Sequence, residues 1–415
     1  MIVTAASDAC ALRELLDSGW NAPEPLVDEV REIVVAVRER GDAALVEYAR
    51  RHDDQGFELS KLRVPIPMLE SARSLVQPEV AAALEKARER LSRFHQRQRQ
   101  PDLAYVEEDG SRYAVHRRPL HSAAVYAQRS GAAWAVLMGA LPAKIAGVSR
   151  VIALSPPVAG AISPAVLFAC ALCGVDELYA VGGAQAIAGA AFGTDSMAPV
   201  DKIVGRGGPW TTEAKRCVLG RCGIDGLAGP PELLVVADEG ASSEYVVGEL
   251  LAQAERPRVT RLAVLSESRP LLEAVSQLAD TLDAESLGER CVLIEAASRD
   301  ELFEVLNRFA PAVLSLQVRD ASSYMDRIQA AGTVFVGDTT PLVSGEYLAG
   351  INRVVPTSGT ARFASALSLG DFARSFSVVE NSADRMAADA AALETLAESD
   401  GLPNHAQTAR MRSDT

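Results

Sequence analysis

Positive charge is in short supply along this chain of 415 residues. Its 41 Lys and Arg are outnumbered by 55 Asp and Glu, for a formal net charge of -14. A nucleic-acid-binding surface needs a basic stripe to neutralise phosphates, so a small-molecule partner is the better reading and nucleic acid is set aside. The one arginine-rich run, 86–99, interleaves leucines and glutamates with Arg88, Arg90, Arg93, Arg97 and Arg99 and reads as a solvated helix face. Cysteine is sparse as well: the six present are scattered and match no spaced metal framework. Cys170 and Cys173 form a single C-x-x-C on an apolar helix, where packing explains them better than redox chemistry. Unpaired thiols and the lack of a basic-then-apolar leader point to the cytoplasm. A bilayer-spanning run is missing too. Residues 151–175 are uncharged, but Pro156, Pro157 and Pro164 break them into strand, turn and helix, so no membrane partner is expected.

What is present is an ordinary globular composition, 48% hydrophobic and 23% charged, long enough for two or more cores. Residues 1–125 read as mainly helical, over 8–17, 25–50 and 78–99, with a strand at 113–117. From 123 onwards strands and helices alternate regularly. One unit has strands at 123–126, 151–155, 178–181 and 202–204 with helices at 134–147, 161–173 and 184–192. A second has strands at 233–237, 261–265, 291–295, 313–317 and 333–336 with helices at 243–255, 269–282, 299–308 and 322–331. Two doubly wound α/β lobes with a cleft between them are therefore expected. The run 337–371 is loop-rich and reads as functional, and 378–397 reads as a closing helix.

Two stretches carry candidate chemistry. Gln253 and Arg256 lie three apart on one helix face, where they can orient an anion; a guanidinium has no lone pair for a metal. Gly205-Arg206-Gly207-Gly208 follows a strand and precedes a helix. Its amides suit a phosphate at a helix N-terminus, although a tight strand-to-helix turn needs glycine on steric grounds alone.

A wider set of motifs is more specific: Val181-Gly182-Gly183-Ala184-Gln185, Val200-Asp201-Lys202-Ile203-Val204-Gly205, Thr212-Glu213-Ala214-Lys215-Arg216, Gln253-Ala254-Glu255, Gly332-Thr333-Val334-Phe335-Val336-Gly337-Asp338 and Ser368-Leu369-Gly370-Asp371-Phe372. Together they resemble the histidinol dehydrogenase family. The resemblance implies an α/β fold of two incomplete Rossmann-like lobes, a helical N-terminal region and a small C-terminal helical arm. It places an N-terminal segment at 1–20, a first lobe at 21–125 with 231–367, a second lobe at 126–230 and a dimerisation arm at 368–415. It also implies a homodimer whose arms complete the neighbour's site, and oxidation of an amino alcohol to the acid in two NAD-dependent steps, with zinc positioning the substrate and a Glu-His pair moving protons.

Carried over residue by residue, the machinery departs from that pattern. The zinc-ligand positions hold Gln253, Arg256, Glu346 and His405, and the Glu-His pair falls on Ala312 and Val313. A substrate-binding histidine is Arg353. On the cofactor side Tyr126 and Gln185 match, Gly208 stands where an asparagine is usual, and a glycine-rich loop reads Ala127-Gln128-Arg129-Ser130. Zinc is accordingly expected to be absent, with an Arg256–Glu346 ion pair in its place. The expected function is a scaffold redirected to a zinc-independent reaction on a small, anionic substrate. A silent ligand-binding or scaffold protein and an NAD-dependent dehydrogenase for another alcohol are the alternatives. His405 and Glu346 are the candidate proton-transfer residues. Gln253, Arg256, Arg353 and Asp400 are the substrate-binding candidates, and Tyr126, Gln185, Gly205, Gly207 and Gly208 would contact NAD. Trp134 and Trp210 flank the altered loops and suit either a stacked ligand or packing.

Overall fold

A computed structural model describes residues 3–8, 12, 15–16, 21–128, 132–255, 261–282, 287 and 290–413. The chain divides into two compact units, Met1–Gln98 with Leu120–Phe372, and Arg99–Pro119 with Ala373–Thr415.

The larger unit is an α/β body on two parallel sheets. One has the spatial order β6 (Glu177–Tyr179), β5 (Arg150–Leu154), β4 (Ser122–Tyr126), β7 (Lys202–Val204), β8 (Gly223–Ile224). Chain order runs outwards from β4 in one direction and resumes at β7 in the other, so the winding reverses between β4 and β7. The second sheet repeats the device, in the order β1 (Val3–Ala5), β11 (Cys291–Glu295), β10 (Arg261–Ser266), β9 (Glu232–Ala237), β12 (Val313–Gln317), β13 (Thr333–Val336), with its reversal between β9 and β12. These strands are covered on both faces, which is why they read as unbroken apolar runs: every residue of β9 is buried. Alternation across β4 shows the sorting. Ala123 and Val125 join the core under Ala132–Ala146 and Pro164–Cys173, whereas Ala124 and Tyr126 join the core under Glu24–Arg40, Asp42–His52 and Gly183–Phe192. The α/β class with two doubly wound sheets is the one anticipated.

Local expectations fail where a long-range partner or a single glycine decides. The helix expected over 25–50 is two helices, Glu24–Arg40 and Asp42–His52, because Gly41 takes φ 55° between them. The one expected over 322–331 is only Ser322–Met325, and the loop run 337–371 contains the helix Leu342–Tyr347. The helix expected over 8–17 falls largely outside the described residues.

The smaller unit corrects the closing helix. Val378–Val379–Glu380 end a strand, β14 (Ala373–Glu380), antiparallel to β3 (Arg112–Pro119), which also pairs with β2 (Leu103–Val106). β-branched residues pair well across strands, and the helix begins only at Ala383, where the Ser382 side chain accepts from the Arg385 amide. Helix Pro403–Ser413 follows.

Among the described residues no helix is long and apolar enough to cross a membrane. Cys170 and Cys173 are buried; burial pushes both thiols up, Cys173 to about 12, which removes the thiolate that redox chemistry needs.

Candidate functional site

Ligands of open α/β sheets collect beyond the carboxyl ends of the strands, where the winding reverses. In the β4 sheet that point lies between Tyr126, the last residue of β4, and Gly205, the first after β7. Gly205 sits at φ 107°, and a Cβ built there would lie 2.3 Å from the Tyr126 carbonyl oxygen, so only glycine allows the two strand ends to approach. At Gly207 a Cβ would fall 2.4 Å from the Thr211 Cβ. Gly208 is the N-cap of helix Pro209–Val218 and leaves that terminus without a side-chain cap. The turn Gly205–Gly208 is thus steric in origin and still presents a helix N-terminus at the reversal point.

Three charged residues that the sequence did not single out as site candidates hold this end of the sheet. The Asp53 carboxylate accepts from the Gly182 amide at 3.0 Å and from the Gln185 side-chain amide at 2.9 Å, and the Tyr126 hydroxyl accepts from the Gly183 amide at 3.1 Å. Tyr126 and Gln185 are therefore brought to the same Gly182–Gly183 turn, and Asp53 holds the negative charge at that helix start. Lys215 and Asp225 form a buried pair at 2.6 Å behind the Gly205 turn. The sequence offered no signal for this pair, since Lys215 stands among charged neighbours, Glu213 and Arg216. Arg206 reaches the Gly229 carbonyl at 3.5 Å, and Trp210 tilts against His52 with ring centroids 5.6 Å apart. Trp134 packs partly buried against the neighbouring core. Arg129, Ser130 and Gly131 lie outside the described residues.

Gln253, Glu346 and Arg353 belong to the other sheet. Helix Ser243–Ala254 runs back from the carboxyl end of β9 and feeds β10, so Gln253, in its last turn, lies towards the sheet's amino edge. The Glu249 carboxylate accepts from the Leu342 amide at 3.0 Å, tying this helix to Leu342–Tyr347; Gln253 and Glu346 each lie one turn beyond that contact. Burial pushes the Glu249 carboxyl up. Gln253 is 1% exposed, and its Oε1 has no hydrogen-bond partner among the described residues. Glu346 accepts from Arg353, through Nε at 3.0 Å and also through Nη2. Arg353 is held in place by its neighbour Asn352, which donates to the Met138 carbonyl at 2.7 Å. The expected partner of Glu346, Arg256, lies outside the described residues; the ion pair the structure describes is with Arg353. Ala312 and Val313 are buried at the start of β12 and carry no titratable group.

A small cavity of about 40 Å³ lies where the two sheets' connections meet, lined by Arg206, Asp225, Ala228, Val354, Pro356 and Thr360. Asp400 and His405 are in the smaller unit, exposed, on an open groove of about 660 Å³ walled by Met386, Leu393, Leu396 and Leu402. Among the described residues no three His, Cys, Asp or Glu side chains are grouped as a metal site.

The family model for histidinol dehydrogenase matches residues 21–413. Over 395 residues the chain is 36% identical to a histidinol dehydrogenase of Listeria monocytogenes, covering 92% of each chain. It is 38% identical to one of Pseudomonas syringae, covering 92% of this chain and 88% of the relative. The crystal structure of histidinol dehydrogenase from Elizabethkingia anophelis superposes with a TM-score of 0.92 at 27% identity, over 99% of this chain and 98% of that one. These likenesses overturn the expectation of a redirected, zinc-independent reaction on an anionic substrate, and with it the alternatives of a silent scaffold or a dehydrogenase for another alcohol. That expectation weighed a handful of substituted positions, whereas the identity extends over more than nine-tenths of the sequence and the whole fold is retained. The chain belongs to the histidinol dehydrogenase family.

Proposed function

We propose that this chain oxidises histidinol in histidine biosynthesis, with NAD accepting the hydride. One observation carries the reading: identity of 36–38% to histidinol dehydrogenases across more than nine-tenths of the chain.

The residues at the β4–β7 reversal fit a dinucleotide. Tyr126 and Gln185 would bound its site, and the Gly205–Gly208 turn would take its phosphates at the start of helix Pro209–Val218, whose N-cap Gly208 supplies no side-chain cap. Asp53 already neutralises the start of helix Gly183–Phe192, which favours the Gly208 end for the anion. When bound, NAD supplies the hydride acceptor and the protein supplies orientation.

Zinc fits less well. A divalent ion at Glu346 needs a carboxylate free to ligate, and Glu346 accepts twice from a guanidinium that stays protonated. The Gln253 oxygen, without a hydrogen-bond partner among the described residues, is a ligand a cation accepts, but one amide oxygen and an engaged carboxylate do not make a site. Among the described residues a zinc site is therefore incomplete. With Glu346 tied to Arg353 and no base at Ala312 or Val313, proton transfer falls to His405, with Asp400 beside it in the same groove as a substrate contact. Gln253, Arg256 and Arg353 remain the substrate-side candidates of the larger unit.

A homodimer with exchanged arms is part of the proposal. Helix Ala383–Ser399 buries only Ala390, while Leu393 and Leu396 are exposed, and a second copy is the natural cover for such a face.

Purified chain given histidinol and NAD should form two NADH per histidinol consumed, followed by absorbance and product analysis. Metal content measured on the same sample decides zinc. No histidinol-dependent NADH, with or without added zinc, refutes the activity; stoichiometric zinc refutes the metal assignment alone.

A further inference from the structure

We propose that the buried Lys215–Asp225 pair is the positioning device for the Gly205–Gly208 turn, setting where the cofactor phosphates bind; the cofactor half of this rests on the reading above. The pair grips both ends of one residue. Asp225 Oδ2 accepts from the Gly205 amide at 2.7 Å, Lys215 Nζ donates to the Gly205 carbonyl at 2.5 Å, and Lys215 Nζ donates to Asp225 Oδ1 at 2.6 Å, closing the ring. The two side chains are 3% and 5% exposed.

Gly205 needs such a grip. Its φ of 107° lies in a region only glycine enters readily, and glycine loses the most backbone freedom on being fixed there. A loop residue at the end of a three-residue strand has few ladder bonds to restrain it. Charged hydrogen bonds to both its amide and its carbonyl replace that missing ladder and fix the direction in which Arg206, Gly207 and Gly208 leave the sheet. Because Lys215 lies on the very helix that Gly208 caps, and Asp225 on the connection after β8, one pair ties strand, turn, helix and connection together. Asp225 also lines the small cavity with Arg206, so the clamp reaches the wall that a ligand would meet. A buried ion pair is a poor source of net stability compared with apolar side chains of similar volume, and geometry is what this one supplies.

The experiment replaces both charges together, Lys215→Met with Asp225→Leu, leaving no stranded ion. The variant should fold, with the cost falling on the turn. KM for NAD should rise about tenfold, while kcat changes by less than about threefold, since position rather than chemistry is lost. Trypsin cleavage at the Arg206–Gly207 bond should accelerate about tenfold as the turn opens locally. In the unaltered chain the Gly205 amide should exchange with deuterium as slowly as core strand amides, which tests the grip even where the double variant fails to fold. Unchanged cleavage at Arg206 together with unchanged KM overturns the proposal, as does open-loop exchange at Gly205. A native chain that neither binds NAD nor turns over removes the cofactor reading, and the cleavage and exchange measurements still decide the clamp.

Discussion

Arg353 offers the sharpest perturbation. Its guanidinium and the Glu346 carboxylate are 2% and 5% exposed, and Glu346 accepts from both Nε and Nη2. Arg353→Leu breaks a buried ion pair by removing one partner, which typically costs about 3–5 kcal/mol. Scaled to the unfolding entropy of a chain this long, that lowers the melting temperature by roughly 3–6 °C. Replacing both partners, Arg353→Leu with Glu346→Leu, should recover most of the loss, because an apolar pair of similar volume is close to neutral or better. The cycle, followed by urea unfolding of all four proteins, isolates the coupling. Zinc adds a second axis: with Arg353 gone, Glu346 no longer accepts from that guanidinium, and its carboxylate and the nearby Gln253 side chain become better able to hold a cation. Zinc at a thousandfold excess over its dissociation constant would then return about 4 kcal/mol to the single variant and little to the native chain. A single variant that loses less than about 1 kcal/mol, as an exposed pair would, refutes the buried-pair reasoning. A native chain stabilised by zinc as strongly as the variant refutes the idea that Arg353 closes the site.

Other outcomes follow from single residues. Gly205→Ala should destabilise by about 2 kcal/mol or more in urea unfolding, since its Cβ meets the Tyr126 carbonyl and its φ is positive. His95 is fully buried between Gln98 and Asn352, and burial holds its pKa below the ordinary 6.5. The folded chain therefore binds fewer protons than the unfolded one below that pH. His95 thus adds no penalty above about pH 6.5, and stability falls by up to about 1.4 kcal/mol per pH unit below it. His95→Gln should flatten that slope between pH 6.5 and 5, measured by urea unfolding at each pH. Glu249→Gln keeps an acceptor for the Leu342 amide and removes a desolvated charge, so the melting temperature should hold or rise by a degree or two. Leu396→Asp, on the exposed face of the closing helices, should shift the chain towards monomer in light scattering.

The two doubly wound sheets were legible because their strands are apolar throughout and their helices amphipathic, so the alternation appears in the sequence itself. The small antiparallel sheet was only partly so. β2 and β14 are largely exposed, and Val378–Glu380 become strand only by pairing with β3, more than 250 residues earlier in the chain. The same limit explains the site. Glycines and motif residues announce Tyr126, Gln185 and the Gly205 turn, but nothing near Lys215 in sequence says that its ammonium reaches back to Gly205 and across to Asp225.

Charge placement then connects the two ends of the larger unit. At Gly182–Gly183 a carboxylate, Asp53, neutralises a helix start, whereas at Gly208 the helix start has no side-chain cap and Arg206 stands beside it. A dinucleotide carries its negative charge in its phosphates, so the field favours one of these two glycine turns over the other. At the amino edge of the second sheet the arrangement is inverted, with a cation supplied from within the chain to the buried Glu346 carboxylate. Fixed internal charge therefore differs at the two ends: a carboxylate stands at the Gly182–Gly183 turn, and a guanidinium pairs with Glu346. Asp53→Asn tests the first half, because it removes the competing carboxylate while keeping an acceptor for Gly182. If the phosphates bind at Gly208, NAD affinity should change less than threefold by calorimetry. A tenfold gain would mean that they bind at Gly182–Gly183 instead, with Asp53 opposing them.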